Sequence, residues 1–367
     1  MQQDERIIET AAEQLVSLLA GLHRDGSFVR DPSPSVLGRD ENGRLFIADA
    51  DLESRSNRDA PDDTLGQLWA LMRGESPRVK IAAARDYAAR RGLGDLDLDR
   101  LLREFRLRDI ERCFHENRDF KVLESGGLVW HCRRELLREE HLPVLEDPDR
   151  WLEPGDHLVK DGRSTTIGRT AGEALMKRFN LKKYRSLVTN QLAGSRARIA
   201  FQQAYHLETM GVRTARAIAF AERTKLGCIY RSYLLLDWLA DVQPGALAFQ
   251  EWNGSRPELK RRVLEDAGRM IGRLHDAGFS NRDLKSNNLL VNEAGQVWVI
   301  DLDGVAHEGR VPEEQRLKNL LRIVRDLPRY GHLSTREALT FLHSYTRAVR
   351  QGNTRDLYRK LAAEPIA

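Results

Sequence analysis

Residues 281–304 read NRDLKSNNLLVNEAGQVWVIDLDG, a polar loop followed by two short apolar runs. The apolar runs flank a turn signal at Gly295 and predict a β-hairpin. Asp283 and Asn288 lie in the loop before the hairpin, and Asp301 directly follows it. Because a hairpin returns the chain to the point where it began, we expect Asn288 and Asp301 to face the same cleft.

The side chains of this stretch fit phosphoryl transfer from ATP. That reaction needs a carboxylate that orients the attacking hydroxyl and accepts its proton, and it needs oxygen ligands for Mg2+ on the phosphates. Asp283 is the candidate for the first role, and Asn288 and Asp301 are the candidate metal ligands. Lys285 is a second candidate catalytic residue, because its charge would neutralise the phosphoryl group in transfer.

An internal repeat relates this stretch to the first part of the sequence. Residues 22–51 align without a gap to residues 274–303 at a constant offset of 252, and ten of the thirty positions are identical. Helical patterns follow both copies. We therefore expect residues 1–119 to form a partial, degenerate second copy of the helical domain that carries the Asp283 loop. The alternative is an unrelated helical domain with only a local likeness.

The first copy keeps two aspartates and lacks the lysine and the asparagine of the loop. In chain order, Asp283, Lys285, Asn288 and Asp301 correspond to Asp31, Ser33, Val36 and Asp49. No strand-rich region precedes residue 22. We therefore expect this degenerate copy to bind no ATP and to serve as a scaffold or docking surface.

Residues 120–240 have the pattern of an antiparallel sheet. Apolar runs such as EALMKRF, AIAF and YLLL are separated by glycine turns. One helix interrupts them over residues 195–210 and ends at Gly211. Another begins at residues 255–258, which have the form of a capping box. The predicted class is α+β, with a β-rich N-lobe followed by a helical C-lobe over residues 241–367.

Composition limits the class of protein. The chain has 367 residues, of which 41% are hydrophobic and 31% charged, and this predicts a folded protein with more than one domain or lobe. Lys and Arg exceed Asp and Glu by 59 − 55 = 4, too small an excess to predict a nucleic-acid partner. The three cysteines include no CxxC pair, so neither a disulfide framework nor a zinc site is expected. We expect a cytoplasmic protein without a signal peptide or transmembrane segment.

The motif RDLKSNN, followed by a hairpin and IDLD, resembles the catalytic and metal-binding loops of the protein-kinase-like fold. Asn281 stands where protein kinases have His, and Leu302-Asp303 stands where they have Phe-Gly. The segment after Asp301 is short and has no Ala-Pro-Glu motif. This combination is more similar to the lipopolysaccharide core kinases (Kdo/WaaP/InaA type), which resemble protein kinases in fold but phosphorylate sugars. The resemblance covers about residues 150–350.

The resemblance implies ATP and Mg2+ as cofactors and a nucleotide site upstream of the loop. Lys177 is the candidate for the lysine that holds the α- and β-phosphates, and Lys160 is the alternative. The other candidate nucleotide-binding residues are Gly162, Ser164 and Thr165 in a phosphate-covering turn, and Asp237 and Leu239 in the adenine-binding segment.

The helix that should donate a glutamate to the lysine departs from the kinase pattern. It carries Gln202 and Gln203 at the expected positions, with Glu208 near its far end. The sequence alone therefore does not identify the partner of Lys177.

A basic run between Lys177 and Arg198 contains seven basic residues and no acidic one. Such a run favours an anionic partner. We expect an anionic glycolipid or sugar substrate and a possible peripheral contact with the cytoplasmic face of the inner membrane.

The sequence thus predicts an ATP- and Mg2+-dependent phosphotransferase that acts on a sugar hydroxyl of the lipopolysaccharide core. A protein Ser/Thr kinase or another small-molecule kinase is the first alternative. A catalytically weak pseudokinase scaffold is the second, because the helix glutamate is missing and the first copy is degenerate.

Overall fold

The computed structural model describes residues 2–54, 61–73, 75, 77–94, 111–180, 194–225, 228–252, 255–326, 333–349 and 352–363. The contacts group the chain into two compact units. The first comprises residues 1–122, 133–135 and 209–211, and the second comprises residues 123–132, 136–208 and 212–367. No helix within the described ranges is long and apolar enough to cross a membrane.

In its described residues, the first unit has three helices with defined bounds and two small strand pairs. Its helices are α1 (Gln2–Arg24), α2 (Pro61–Leu71) and α3 (Pro77–Arg91). Its first four strands are β1 (Ser27–Val29), β2 (Leu37–Arg39), β3 (Leu45–Ile47) and β4 (Leu52–Ser54). Strand β1 pairs with β4 and β2 with β3, both antiparallel. Leu19, Leu65 and Tyr87, one from each helix, are almost fully buried, so the helices share one core.

A seven-stranded sheet forms the N-lobe. Its strands are β5 (Phe120–Ser125), β6 (Leu128–Arg133), β7 (Leu158–Asp161), β8 (Thr165–Thr170), β9 (Ala174–Asn180), β10 (Ala217–Lys225) and β11 (Cys228–Asp237). Their order is β5-β6-β10-β11-β9-β8-β7, and every pair from β6 to β7 is antiparallel. The side chains of Trp130, Met176 and Tyr233 are fully buried against one face of the sheet. Burial of this apolar face holds the strands together.

Among the described residues, helices α4 (Leu142–Glu146) and α5 (Arg196–Thr209) accompany the sheet. Helix α5 begins after Ser195, whose Oγ accepts a hydrogen bond from the Arg198 N–H at 3.1 Å, as an N-cap residue does. It ends before Gly211, whose φ of 69° lies in the left-handed region that favours glycine. The predicted helix between the strands is confirmed with these limits.

The C-lobe is mainly helical. Its helices are α6 (Gly245–Glu251), α7 (Pro257–Asp276), α8 (Glu313–Asp326), α9 (Thr335–Val349) and α10 (Thr354–Ala363). Its short strands are β12 (Val242–Pro244), β13 (Phe279–Asn281), β14 (Leu289–Asn292), β15 (Val297–Val299) and β16 (Val305–His307). Strands β12, β14 and β15 form one sheet, and β13 pairs with β16. The α+β class with a β-rich N-lobe and a helical C-lobe is confirmed.

One helix start was predicted for the wrong reason. Ser255 does not cap helix α7, because its Oγ donates to the carbonyl of Glu251 at the end of the preceding helix. The residue before the helix is Arg256, which makes no side-chain capping bond. Pro257 at the first helical position, with its fixed φ, is the signal that holds.

The two copies of the repeat share their strand register. In the first copy Leu37 pairs with Ile47, and in the second Leu289 pairs with Val299, so both partners keep the offset of 252. The order of a strand, a 3-10 turn, a hairpin, a second 3-10 turn and a final strand is also the same. The likeness is therefore one of backbone structure as well as of sequence.

A buried histidine with two polar partners is also repeated. His275 in helix α7 lies with Nδ1 2.9 Å from Tyr345 Oη and with Nε2 3.2 Å from Asn319 Oδ1. The matching residues of the first copy are His23, Tyr87 and Gln67, at 2.6 and 3.1 Å. The partners of both histidines lie outside the thirty aligned positions, so the repeat includes the helices that follow them. His275 has a packing role, as its place at the end of a helix suggests.

Candidate active site

Buried amides hold the loop that carries Asp283. The Asp283 N–H donates to Asn281 Oδ1 at 2.9 Å, and the Asn281 N–H donates to Asn319 Oδ1 at 2.8 Å. Gly304 packs so closely against the loop that a Cβ at its position would lie 2.7 Å from Asn281 Oδ1. Asn281, in the place of the protein-kinase histidine, therefore orients the loop of Asp283 through its amide.

The loop brings three of the predicted side chains together. Lys285 Nζ lies 3.1 Å from each carboxylate oxygen of Asp283. Asn288 Nδ2 donates to the Asp283 carbonyl at 2.9 Å and to its Oδ2 at 3.1 Å. The Asp283 side chain is 47% exposed, so the carboxylate is held by its neighbours yet open to an incoming hydroxyl.

Helix α8 fixes the far end of the loop. Asp326, the last residue of that helix, accepts hydrogen bonds through Oδ2 from the Ser286 N–H at 2.8 Å and from the Ser286 hydroxyl. The role of Asp326 has no local signal in the sequence, because 40 residues separate it from Ser286.

An ion pair between Asp266 and Arg213 holds the hairpin, and we call this pair the Asp266 bracket. Asp266 of helix α7 is 6% exposed and accepts a hydrogen bond from the Val297 N–H at 2.7 Å. It also pairs with Arg213, whose Nε donates to the Val297 carbonyl at 3.1 Å and whose own carbonyl accepts from the Val299 N–H at 2.9 Å. Strand β15 is thereby fixed on both sides immediately before Asp301.

Asp301 stands at the end of the hairpin in an unusual backbone conformation. Its φ of 58° and ψ of 70° are left-handed, which is uncommon for a residue other than glycine and frequent at functional sites. Next to it, the Ile300 N–H donates to the Asn288 carbonyl at 2.9 Å. The hairpin therefore brings Asn288 and Asp301 to the same place.

Lys177 reaches Asp301 from the N-lobe. It lies in the middle of strand β9, is 9% exposed, and places Nζ 3.0 Å from Asp301 Oδ1. Burial would raise the pKa of Asp301, but the charge and hydrogen bond of Lys177 outweigh burial and keep that pKa below its ordinary value. Lys160, the alternative lysine, affects Asp301 only through its charge. The geometry therefore favours Lys177.

The predicted phosphate-covering turn joins strands β7 and β8. The N–H groups of Gly162 and Thr165 are used within the hairpin, each donating to the other's carbonyl at 3.1 and 3.2 Å. The tip of the turn is formed by Arg163 and Ser164. Of the three predicted turn residues, only Ser164 thus has its N–H at the tip, where a phosphate could approach.

The predicted adenine-binding segment follows strand β11. The Asp237 side chain is taken by Arg216, which donates to Oδ2 at 3.0 and 2.7 Å, and the Trp238 N–H donates to the Glu173 carbonyl at 2.8 Å. Leu239 comes directly after these residues. The Asp237 N–H also donates to the Arg216 carbonyl, at 2.8 Å, so the Asp237 side chain and its N–H are both engaged within the N-lobe.

Two residues with weak sequence signals join the cluster. Asp303 Oδ1 lies 3.6 Å from Lys177 Nζ, and Asp303 Oδ2 pairs with Arg196 of helix α5. Arg196 belongs to the basic run, and Asp303 is the second aspartate of IDLD. Three further members of that run, Lys182, Lys183 and Arg185, lie outside the described residues.

The residues at the hairpin fit a magnesium ion bound together with phosphates. Because Asn288 Nδ2 faces Asp283, its Oδ1 points away from Asp283 and accepts no hydrogen bond from any described residue. With a carboxylate oxygen of Asp301, this supplies two hard oxygen ligands, and Mg2+ takes its remaining ligands from phosphates and water. Groups of three or more His, Cys, Asp or Glu that could bind a metal do not occur among the described residues.

Arginines occupy the corresponding place in the first copy. Asp31 accepts from Arg112 Nη1 at 2.9 Å and from the Arg118 N–H at 2.8 Å. Arg118 Nη1 also lies 2.7 Å from Asp51, which corresponds to Asp303. The carboxylates of the first copy are therefore neutralised by arginines of the same unit.

Comparison with known proteins identifies relatives of the second unit. The model of the "Lipopolysaccharide kinase (Kdo/WaaP) family" matches residues 165–345. The 3-deoxy-D-manno-octulosonic acid kinase of Xylella fastidiosa (strain 9a5c) is 32% identical over 212 residues, 55% of this chain and 80% of its own length. The lipopolysaccharide core heptose(I) kinase WaaP of Pseudomonas aeruginosa is 28% identical over 172 residues, 44% of this chain and 64% of its own.

Among solved structures, one described as WaaP in complex with acyl carrier protein has a TM-score of 0.41 at 24% identity, over 59% of this chain and 87% of its own. The stretch matched by the family model includes Lys177, Asp283, Asn288 and Asp301.

Proposed function

Because the chain belongs to the lipopolysaccharide kinase (Kdo/WaaP) family, we propose that it transfers the γ-phosphoryl group of ATP to a sugar hydroxyl of a lipopolysaccharide core. The observation that supports this most directly is the meeting of Lys177 from the N-lobe with Asp301 from the C-lobe, next to the loop of Asp283. A phosphotransferase needs these groups in one cleft, one set for the nucleotide and one for the acceptor.

Each residue has a role that follows from its surroundings. Asp283 accepts the proton of the acceptor hydroxyl, and its N–H bond to Asn281 fixes its direction. Lys285 brings a positive charge within 3.1 Å of that carboxylate and balances the charge of the phosphoryl group in transfer. Lys177 holds the phosphates of ATP, and Ser164 at the turn covers them.

Asn288 and Asp301 would hold Mg2+, which neutralises the charge of the phosphate oxygens when it is bound. Asp301 remains ionised at neutral pH and below, because its pKa is lowered. Asn288 has a separate task as well, since its Nδ2 steadies the Asp283 carboxylate. One side chain thereby couples the nucleotide side of the cleft to the acceptor side.

The relatives indicate a sugar acceptor. One is named for 3-deoxy-D-manno-octulosonic acid and another for the core heptose, and both sugars carry hydroxyl groups on an anionic glycolipid. Strand β16 ends at His307 and helix α8 begins at Glu313, which leaves little chain for a platform that docks a peptide. We therefore propose an anionic glycolipid acceptor, with the enzyme in peripheral contact with the inner membrane at its cytoplasmic face.

The domains follow from the repeat. We propose that residues 1–119 form a degenerate C-lobe-like domain, and that residues 120–240 and 241–367 form the N-lobe and C-lobe of the kinase. The support is the shared strand register and the repeated histidine contacts. The arginine pairs of Asp31 give the first copy no place for a metal and a nucleotide, so we assign it a scaffold role.

The acceptor is tested with the purified chain, labelled ATP, Mg2+ and three substrates presented separately: core oligosaccharide with lipid A, a mixed-protein substrate, and water alone. We expect label only in the glycolipid. Label in protein would support a protein kinase instead. Absence of any label, together with no rise in melting temperature at millimolar Mg-ATP, would support the scaffold.

A further inference from the structure

The nucleotide lysine of kinases is normally held by a glutamate of the helix beside it. Here the carboxylates closest to Lys177 come from the C-lobe hairpin instead, with Asp301 Oδ1 at 3.0 Å and Asp303 Oδ1 at 3.6 Å. Helix α5 contributes a positive charge to the site instead of a carboxylate, because its Arg196 pairs with Asp303. In this ion pair the helix therefore supplies the positive charge, whereas the helix of other kinases supplies the negative charge.

Arg196 joins three parts of the cleft. Its Nη2 donates to Asp303 Oδ2, and its Nη1 donates to the Ser164 carbonyl at 3.1 Å in the turn that would cover the phosphates. Its guanidinium also lies 4.7 Å from the centre of the Phe179 ring, and Lys177 Nζ lies 4.9 Å from that same centre. One aromatic ring thus supports both cations.

Asp303 has a free acceptor for the lysine. Its Oδ1 is buried and has no hydrogen-bond partner among the described residues, while Lys177 Nζ is 3.6 Å away. A buried carboxylate oxygen without a donor is costly, so a small movement of Lys177 toward it is favourable. If the Asp301 carboxylate binds Mg2+, its ion pair with Lys177 becomes weaker. The Asp303 carboxylate can then form the ion pair with Lys177 in its place.

We infer that Asp303 and Arg196 together replace the missing helix glutamate. Asp303 positions Lys177 for the phosphates, and Arg196 positions Asp303 and ties it to the turn at Ser164. This inference rests on the proposed kinase function, because it assigns the part of the site that orders the nucleotide. Both are positioning residues, since they act through Lys177 and the turn.

The test measures Mg-ATP affinity, KM for ATP and kcat in the full chain for Arg196→Met, Arg196→Lys and Asp303→Asn. Met keeps the packing on Phe179 and removes the charge. We expect Arg196→Met and Asp303→Asn each to raise KM for ATP by about tenfold or more and to lower kcat. Arg196→Lys should fall between Met and wild type, because an ammonium can keep the contact with Asp303 but cannot span to Ser164 as well.

The double variant Arg196→Met/Asp303→Asn distinguishes one unit from two. If the residues act together, its loss is about that of the worse single variant, whereas independent roles would multiply the two losses. Arg231→Met is the matched control. Arg231 is also paired with an N-lobe aspartate, Asp149. In the strand register Arg231 stands opposite Asn180, which is three residues after Lys177. Because side chains alternate between the two faces of a strand, Arg231 lies on the face of the sheet opposite to Lys177. Its KM and kcat should stay within about twofold of wild type.

Three results would overturn the inference. One is an unchanged KM and kcat in both single variants while wild type binds Mg-ATP and transfers phosphate. Another is multiplication of the two losses in the double variant. The third is rescue of Asp303→Asn alone by excess Mg2+, which would make Asp303 a metal ligand. A wild-type chain that neither binds Mg-ATP nor transfers phosphate would instead contradict the proposed function. Melting temperatures of the variants equal to that of wild type would exclude misfolding as the cause of any change in KM or kcat.

Discussion

Lys177 Nζ lies 3.0 Å from Asp301 Oδ1, although 124 residues separate the two in the chain. The lysine belongs to a central strand of the N-lobe sheet, and the aspartate ends a hairpin of the C-lobe. Both residues are held from behind, Lys177 by the sheet and Asp301 by the bracket of Asp266 and Arg213 on strand β15. The cleft is therefore arranged before a substrate enters it, which is how a site for phosphoryl transfer lowers its reorganisation cost.

Replacement of Asp283 by Asn should remove transfer and leave nucleotide binding intact. The amide keeps the size of the side chain but cannot accept the proton of the acceptor hydroxyl, so kcat should fall by about 10²- to 10⁴-fold. The melting-temperature rise produced by Mg-ATP should equal that of wild type. A variant that retains more than a tenth of wild-type kcat would contradict the role of Asp283.

Replacement of Asp301 by Asn should have the complementary effect. The variant loses the charge that pairs with Lys177 and that would bind Mg2+, so the Mg-dependent part of the ATP-induced rise in melting temperature should disappear. Thermal melts with ATP in Mg2+ and in EDTA measure this part directly. An Mg-dependent rise as large as that of wild type would contradict the assignment of Asp301.

The buried carboxylate of Asp266 should be needed for stability. Asp266→Asn removes the charge that pairs with Arg213 and weakens the bond to the Val297 N–H, and we expect the free energy of unfolding to fall by about 2 kcal/mol. Arg261→Met, which breaks an exposed ion pair on the same helix, should leave it nearly unchanged. Urea titration compares the two, and equal losses would show that the Asp266 bracket is no stronger than a surface pair.

His275 should make the protein less stable in acid. Burial lowers its pKa to about 4, whereas the unfolded chain has the ordinary value near 6.5. Between these values the unfolded state binds more protons, so stability falls as the pH decreases, by about 1 kcal/mol for each pH unit from this residue alone. His275→Gln should flatten the stability curve between pH 6.5 and 4 by that amount. Parallel curves for wild type and variant would contradict the prediction.

The first copy should tolerate loss of its aspartate without loss of activity. In Asp31→Asn the bonds to Arg112 and to the Arg118 N–H are weakened, so the melting temperature should fall. The values of kcat and KM should stay within about twofold of wild type, in contrast to Asp283→Asn at the matching position. A loss of transfer comparable to that of Asp283→Asn would give the first copy a catalytic role.

The sequence by itself determined the parts of the molecule that depend on neighbours in the chain. The loop of Asp283, the hairpin before Asp301 and the end of helix α5 at Gly211 were predictable, because a turn or a helix end is decided by a few adjacent residues. The repeat was visible because its offset is constant. The capping box at Ser255 failed for the opposite reason, since its hydroxyl bonds to the helix before it.

Only the tertiary structure decided which groups face the loop of Asp283. The pairing of Arg196 with Asp303 spans 107 residues, and that of Ser286 with Asp326 spans 40, distances over which no sequence period applies. The kinase pattern does not reveal the partner of Lys177, because the carboxylates that pair with this lysine, Asp301 and Asp303, come from the hairpin segment rather than from the helix. Such contacts depend on how lobes and helices pack, and packing is specified by the whole core.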